Sequence, residues 1–163
     1  MKDPFPSEEF IRQLAAHAER EYPRECCGLI LANIKAPHAW SRLIPCRNLQ
    51  DDLHRKDPAR FPRTSETAYF IDPAALLRIQ KEARERGERI RCIYHSHPDA
   101  EPGFSLEDRA GALWGDEPLY PEAVYLIVSV RNGRAGTCHL YEWSGGDRKF
   151  VETGRGNISE DAV

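Results

Sequence analysis

The sequence lacks any apolar run long enough to cross a bilayer. Its longest clean stretch, Ala123-Val124-Tyr125-Leu126-Ile127-Val128, falls far short of the ~20 residues a spanning helix needs. No apolar core of a secretory signal follows the first residues, Met1-Lys2-Asp3-Pro4-Phe5-Pro6-Ser7-Glu8-Glu9, so a cytoplasmic setting is expected rather than export. Nor is there an excess of one charge sign. Lys and Arg number 23 against 26 Asp and Glu, giving a net charge of -3 with both signs interspersed, and without a basic stripe nucleic acid is excluded as a partner. The five cysteines are an odd number and Cys26 and Cys27 are adjacent, a pattern unsuited to a disulfide framework, so reduced thiols are expected. There is no internal repeat. The deaminase pattern of His-x-Glu with a distant Pro-Cys-x-x-Cys is also absent.

What is present is a chain of 163 residues, 40% hydrophobic and 30% charged, enough for one domain with a real core. Ser7 is placed to cap a first helix to about Glu21, with Phe10, Ile11, Leu14, Ala15 and Ala18 on one stripe. Cys26 to Ile34 reads as a buried strand and Trp40 to Cys46 as its hairpin partner. The polar stretch 47–66, with Pro58 and Pro62, reads as a long insertion loop, followed by a short strand from Thr67 to Ile71. Asp72-Pro73 starts a helix carrying Leu76, Leu77, Ile79 and Ala83 that stops at Gly87. A strand from Ile90 to Tyr94 leads into His95, and a helix runs from Ser105 to about Trp114. Ala123 to Val130 and Thr137 to Trp143 are strands joined by a turn at Asn132-Gly133. Residues 151–163 read as a polar, mobile tail behind a 1–150 domain, with order no further than Glu152. This order of elements implies a single α/β (α+β) domain, a mixed curved β-sheet flanked by helices.

The chemistry concentrates in His95-Ser96-His97-Pro98. Side chains two apart on an extended segment share a face, so His95 and His97 can converge on one ion. Ser105-Leu106-Glu107-Asp108 is a capping box that fixes Asp108 at the mouth of the loop leaving His97. Two imidazoles and a carboxylate make three corners of a tetrahedral zinc site, and a catalytic zinc keeps its fourth corner open. Cys92 falls on the opposite strand face from His95 and is assigned to the core, as are Cys26 and Cys27. A cysteine nucleophile paired with a metal-free His95 is the competing reading. His17, His38, His54 and His139 are given no metal role, and Asp99 and Glu101 are read as solvated loop charges.

His95-x-His97-Pro98, Ser105-x-x-Asp108 with ten residues between His97 and Asp108, and Glu25-Cys26-Cys27-Gly28-Leu29 upstream resemble the JAMM (MPN-domain) zinc metallopeptidases. The order of elements from about Glu8 to Trp143 fits as well. The resemblance implies one catalytic zinc on His95, His97 and Asp108, a general-base Glu25 and a Ser105 that helps an oxyanion. It further implies a deubiquitinase-like isopeptidase acting after the C-terminal tail of a ubiquitin-like or sulfur-carrier protein of β-grasp type, with a homodimer as a further option. Two other classes stand beside it: a non-catalytic zinc-binding MPN scaffold and a metal-dependent amidase for a small amino-acid conjugate. Residue spacing alone does not single out Glu25 from the other glutamates.

Overall fold

The computed structural model describes residues 5–158, and its chain order is α1 (Glu8–Glu21), β1 (Cys27–Asn33), β2 (Trp40–Cys46), α2 (Gln50–Lys56), α3 (Pro73–Glu85), β3 (Glu88–Pro98), α4 (Leu106–Ala112), a short β4–β5 ribbon (Leu113–Trp114 and Glu117–Pro118), β6 (Val124–Arg131), β7 (Arg134–Ser144) and β8 (Lys149–Asn157). Six strands form one mixed sheet in the order β2-β1-β3-β6-β7-β8, parallel at β3–β6 and antiparallel elsewhere. Among the described residues no helix is long and apolar enough to cross a membrane.

The sheet is covered on both faces, which explains why β1 and β6 are apolar at nearly every position. Ile30, Tyr94, Leu126 and Val128 pack under α1 with Leu14, Ala15 and Ala18. Leu29, Leu31, Ile93, Tyr125 and Ile127 pack on the other side with Ile79 and Ala83 of α3 and Ala112 of α4. Cys26 belongs to the first core and Cys27 to the second, one on each face as the alternation of a strand requires. A parallel pair needs a crossover connection. The chain from β3 to β6 supplies it through α4, and this returns Asp108 to the sheet.

Asp72 accepts from the Ala74 amide at 3.0 Å, with Pro73 in the first turn of α3, and the helix ends before Gly87 at φ 68°. Asn132 and Gly133, at φ 50° and 80°, make the β6–β7 turn.

Six expectations are corrected. Residues 47–66 are not a structureless loop, because α2 forms within them and Gln50 and Ser65 are buried. Thr67 to Ile71 contributes only an isolated bridge, Ile71 to Asn48, since that segment is tied down by side-chain hydrogen bonds rather than a ladder. The third predicted helix ends at Ala112, and Leu113-Trp114 turns into the β4 ribbon. The stretch from residue 151 is not a tail: β8 pairs with β7 from Lys149 to Asn157, covering that edge, while residues 159–163 lie outside the described residues. Finally, Leu77 lies on the outer side of α3, 69% exposed, and the Ser7 side chain makes no capping bond.

Gly28 sits where a side chain has no room. A Cβ there would lie 2.3 Å from Tyr94 Oη and 2.6 Å from the Ile44 carbonyl, and Tyr94 Oη is held by His17 Nδ1 at 2.9 Å. Gly28→Ala is therefore expected to cost roughly 1–3 kcal/mol by overpacking, a Tm drop of about 4–10 °C in a thermal melt. An unchanged Tm would show that Tyr94 moves aside freely.

Candidate metal centre

His95 and His97 project from the C-terminal end of the interior strand β3 toward the α4 side, flanked by β1 and β6: His95 pairs with Cys27 on one side and Ile127 on the other. Their side chains and Asp108 are buried, and each offers a ligand atom within 4.8 Å of the others, the group among the described residues that could hold a metal ion. His95 Nε2 lies 2.9 Å from Asp108 Oδ1, His97 Nε2 lies 3.2 Å from Asp108 Oδ2, and the two Nε2 atoms are 3.1 Å apart. A tetrahedral site with arms of about 2.0–2.1 Å has edges of about 3.3 Å, so the two Nε2 atoms stand close to the spacing of two corners, each with an Asp108 carboxylate oxygen at a similar distance.

Each ligand atom is aimed by a second contact. His97 Nδ1 donates to the Glu101 carbonyl at 2.8 Å, which leaves the Nε2 lone pair facing the cluster. The His95 ring stacks on Tyr69, centroids 4.4 Å apart and planes 27° apart. The capping box of α4 is closed both ways: Ser105 N–H donates to Asp108 Oδ2 at 2.9 Å and Asp108 N–H donates to Ser105 Oγ at 3.0 Å. Two imidazole lone pairs and a carboxylate thus converge in a buried space. They repel unless a proton or a cation lies among them, and a nitrogen-nitrogen-oxygen set suits a divalent metal. The residues present fit such an ion.

The electrostatics agree. Burial works against ionising Asp108, but the facing imidazoles together outweigh it and hold its carboxyl well below the usual range. Burial opposes a charged His97, yet Asp108, the Glu101 carbonyl and Glu25 together raise its pKa; His95, wholly enclosed, is lowered by burial.

Glu25 precedes β1 and is 4% exposed, with Oε1 3.9 Å from His97 Nε2. Its Oε2 has no hydrogen-bond partner among the described residues, and burial, partly opposed by His97, pushes its pKa up to about 8. Its backbone is clamped: its N–H donates to the Ser65 carbonyl at 2.7 Å, and the Cys26 N–H that follows donates to Ser96 Oγ at 2.8 Å. Ser105 is exposed at the start of α4. Its oxygen receives the Asp108 amide, and its own proton remains available to donate outward.

Three residues that shape the site escaped the sequence reading. Asn48 spends its whole amide: Nδ2 donates to the Glu25 carbonyl at 3.1 Å and the Ala68 carbonyl at 3.0 Å, while Oδ1 accepts from Gln50 N at 3.0 Å and Phe70 N at 3.1 Å. It therefore ties Glu25 to the segment that carries Tyr69. Ser96, between the two histidines, points the other way and holds residue 26; strand alternation was the available signal for it. No local signal marked Asn48 or Tyr69, which lie in or beside a stretch read as loop.

Other expectations resolve simply. Cys92 is buried on the α1 side, away from the histidines. Burial pushes the Cys26 and Cys92 thiols up to about 12 and Cys46 to about 11, and Cys27 rises further, so a thiolate nucleophile is unsupported. His17, His54 and His139 pair elsewhere, with Tyr94, the Phe61 carbonyl and Glu152 respectively. Asp99 is not merely solvated, because it accepts from the Tyr22 hydroxyl at 2.6 Å and the Asn132 amide at 2.9 Å. Glu101 contributes its carbonyl to His97 while its carboxylate pairs with Arg131.

Comparison with known proteins gives the family and the fold. The family of prokaryotic homologs of the JAB domain matches residues 7–143. The desampylase of Haloferax volcanii is 33% identical over 76% of this chain and 72% of its own length. A Thermus thermophilus protein named "Probable TtuB-protein conjugate cleaving protease" is 31% identical over 64% of this chain and 60% of its own. Tail tip assembly protein K of Escherichia phage N15 is 28% identical over 87% of this chain, which spans only 42% of that protein. Among solved structures, a Desulfitobacterium hafniense protein superposes with a TM-score of 0.62 at 24% identity, covering 90% of this chain and 87% of its own. A Salinibacter ruber protein superposes at 0.59 and 23%, covering 91% and 87%. At those identities the likeness is one of fold.

Proposed function

The chain belongs to the family of prokaryotic homologs of the JAB domain, and on that premise we propose that it is a zinc metallopeptidase hydrolysing the peptide or isopeptide bond after the C-terminal tail of a ubiquitin-like or sulfur-carrier protein. One observation carries the reading: a buried carboxylate, Glu25, stands 3.9 Å from a convergent His95–His97–Asp108 cluster and has an oxygen with no other partner among the described residues. A zinc-binding scaffold without catalysis has no use for that carboxylate. The substrate class rests on the relatives, two of which bear names describing the cleavage of such conjugates.

His95, His97 and Asp108 hold the metal. When bound, zinc supplies the positive charge that acidifies a water and polarises a carbonyl. Glu25 takes the proton of the attacking water and hands it to the leaving nitrogen as the carbon–nitrogen bond breaks, so the products are a carboxylate and an amine. Ser105 turns its free hydroxyl proton toward the oxygen that gains charge. The Glu101 carbonyl and the capping box keep His97 and Asp108 in place throughout.

The zinc-loaded protein is expected to cleave a ubiquitin-like carrier joined through its Gly-Gly tail to a second protein about 100-fold more efficiently in kcat/KM than a short peptide of the same tail, because the folded carrier adds binding remote from the bond. Cleavage of the short peptide or of a small amino-acid amide with the fusion left intact would overturn the proposal in favour of a small-amide hydrolase. Asn48→Ala is expected to lower kcat by about 10- to 100-fold with zinc content unchanged, since it frees the Glu25 backbone without touching a ligand. A loss confined to KM would mean that Asn48 shapes substrate binding instead.

A further inference from the structure

The Glu25 carboxylate is buried beside His97, and the residue also lines a cleft of about 530 Å³ between the end of α1, the end of β2 and the start of α2. Its walls carry Arg20, Arg24, Arg47 and Arg55, set against Glu21, Asp51 and Asp52. The acids are consumed within the wall. Asp51 accepts the Ser65 amide and hydroxyl, both at 2.7 Å, and the backbone amide leads in holding its pKa down. Asp52 is shared by Arg47 and Arg55, and Glu21 faces Arg24 at 3.5 Å. In each pair the cation is the outer partner: Arg47 is 75% and Arg55 70% exposed against 30% for Asp52, and Arg24 is 55% against 35% for Glu21. Arg20, exposed on the last turn of α1, has no ion pair among the described residues. The cleft hides its carboxylates and presents guanidinium heads, each a planar fork suited to a carboxylate.

We infer that this cleft binds the leaving-group side of the substrate, and that the segment after the scissile bond is an acidic peptide. The inference rests on the isopeptidase reading for its direction: Glu25 returns a proton to the leaving nitrogen, so that nitrogen lies beside Glu25, the residue that also lines the cleft. The carrier tail before the bond is then left to the α4 side. The interspersed charges of the chain, net -3, favour a short acidic segment over an extended nucleic acid backbone.

Three fusions of one ubiquitin-like carrier test this, differing only in a six-residue segment after Gly-Gly: Asp/Glu-rich, Gly/Ser-rich or Lys-rich. With the zinc-loaded wild type, kcat/KM is expected to fall in that order, by about tenfold from acidic to basic at low salt, with the spread shrinking as salt rises. The Arg20→Glu/Arg47→Glu variant is expected to reverse the order; Asp52 keeps Arg55, so no wall carboxylate is stranded. Equal rates for the three fusions, or an order untouched by the variant, overturn the inference. Fluorescence anisotropy of a labelled acidic hexapeptide gives a reading independent of catalysis. It is expected to bind wild type at least tenfold more tightly than the variant and more tightly than an oligothymidylate of equal charge, and equal binding on either comparison overturns the inference. Should no fusion be cleaved, the isopeptidase reading fails while the anisotropy still decides the cleft.

Discussion

Glu25→Gln is expected to reduce hydrolysis of a ubiquitin-like fusion by about 10²–10⁴-fold while the protein keeps its zinc. Glutamine preserves the shape of a side chain that is only 4% exposed, so the change removes proton-accepting capacity and little packing. The environment explains why this carboxylate suits the task. Burial pushes its pKa up to about 8 in the metal-free protein, and a divalent charge held by His95, His97 and Asp108 draws it back down toward the working range of a general base. Metal analysis beside the activity assay separates the outcomes. Full activity in the variant would remove Glu25 from the base role, and loss of zinc together with activity would make it a structural support.

At a fixed zinc concentration, a hundredfold above the Kd at pH 6, added zinc is expected to raise the Tm of the metal-free protein by about 5–10 °C at pH 6, an increment that grows toward pH 8. Two groups set the sign. Glu25, raised from 4.5 to about 8, keeps a proton in the folded metal-free chain that the unfolded chain has released, so stability falls as pH rises between those values. His97, raised above 6.5, does the same as pH climbs from there through its folded pKa. Asp108 acts in the opposite direction, but its folded pKa is so depressed that its contribution is fully present throughout this window. Zinc takes a neutral imidazole and competes with the proton on His97, so its affinity strengthens over the range where the metal-free fold weakens. Thermal melts with and without zinc at three pH values measure the increment. An increment that shrinks with pH would contradict this account, and His97→Ala is expected to abolish it at every pH.

The two predictions depend on sequence signals of unequal strength. The metal cluster was marked locally: two histidines sharing a strand face, and a capping box whose third position is Asp108, are patterns a few residues long. The structure adds that the box is closed in both directions and that His97 is steered by a backbone carbonyl, which no residue type announces. Glu25 had no local mark and was chosen through resemblance alone. It reaches the histidines because β1 pairs antiparallel with β3, Cys27 opposite His95, across nearly 70 residues of chain. Residues 47–66 misled for a related reason. Their polarity suggested an open loop, whereas Asn48 and Asp51 use side chains to satisfy backbone groups that a strand ladder would otherwise satisfy.

By itself, then, the sequence determined what depends on neighbours in the chain: the starts and stops of α1 and α3, the β6–β7 turn, the apolar strands of a sheet covered on two faces, and the strand face and capping box that carry His95, His97 and Asp108. Only tertiary structure decided what depends on pairing between distant segments. The placement of Glu25, the Asn48 tie, Tyr69 against His95, the edge strand β8 and the arginine-lined cleft all belong to that class. Hydrophobic period and capping chemistry are written within a turn or a strand length, whereas sheet register and side-chain hydrogen bonds to remote backbone emerge only once the whole chain has packed.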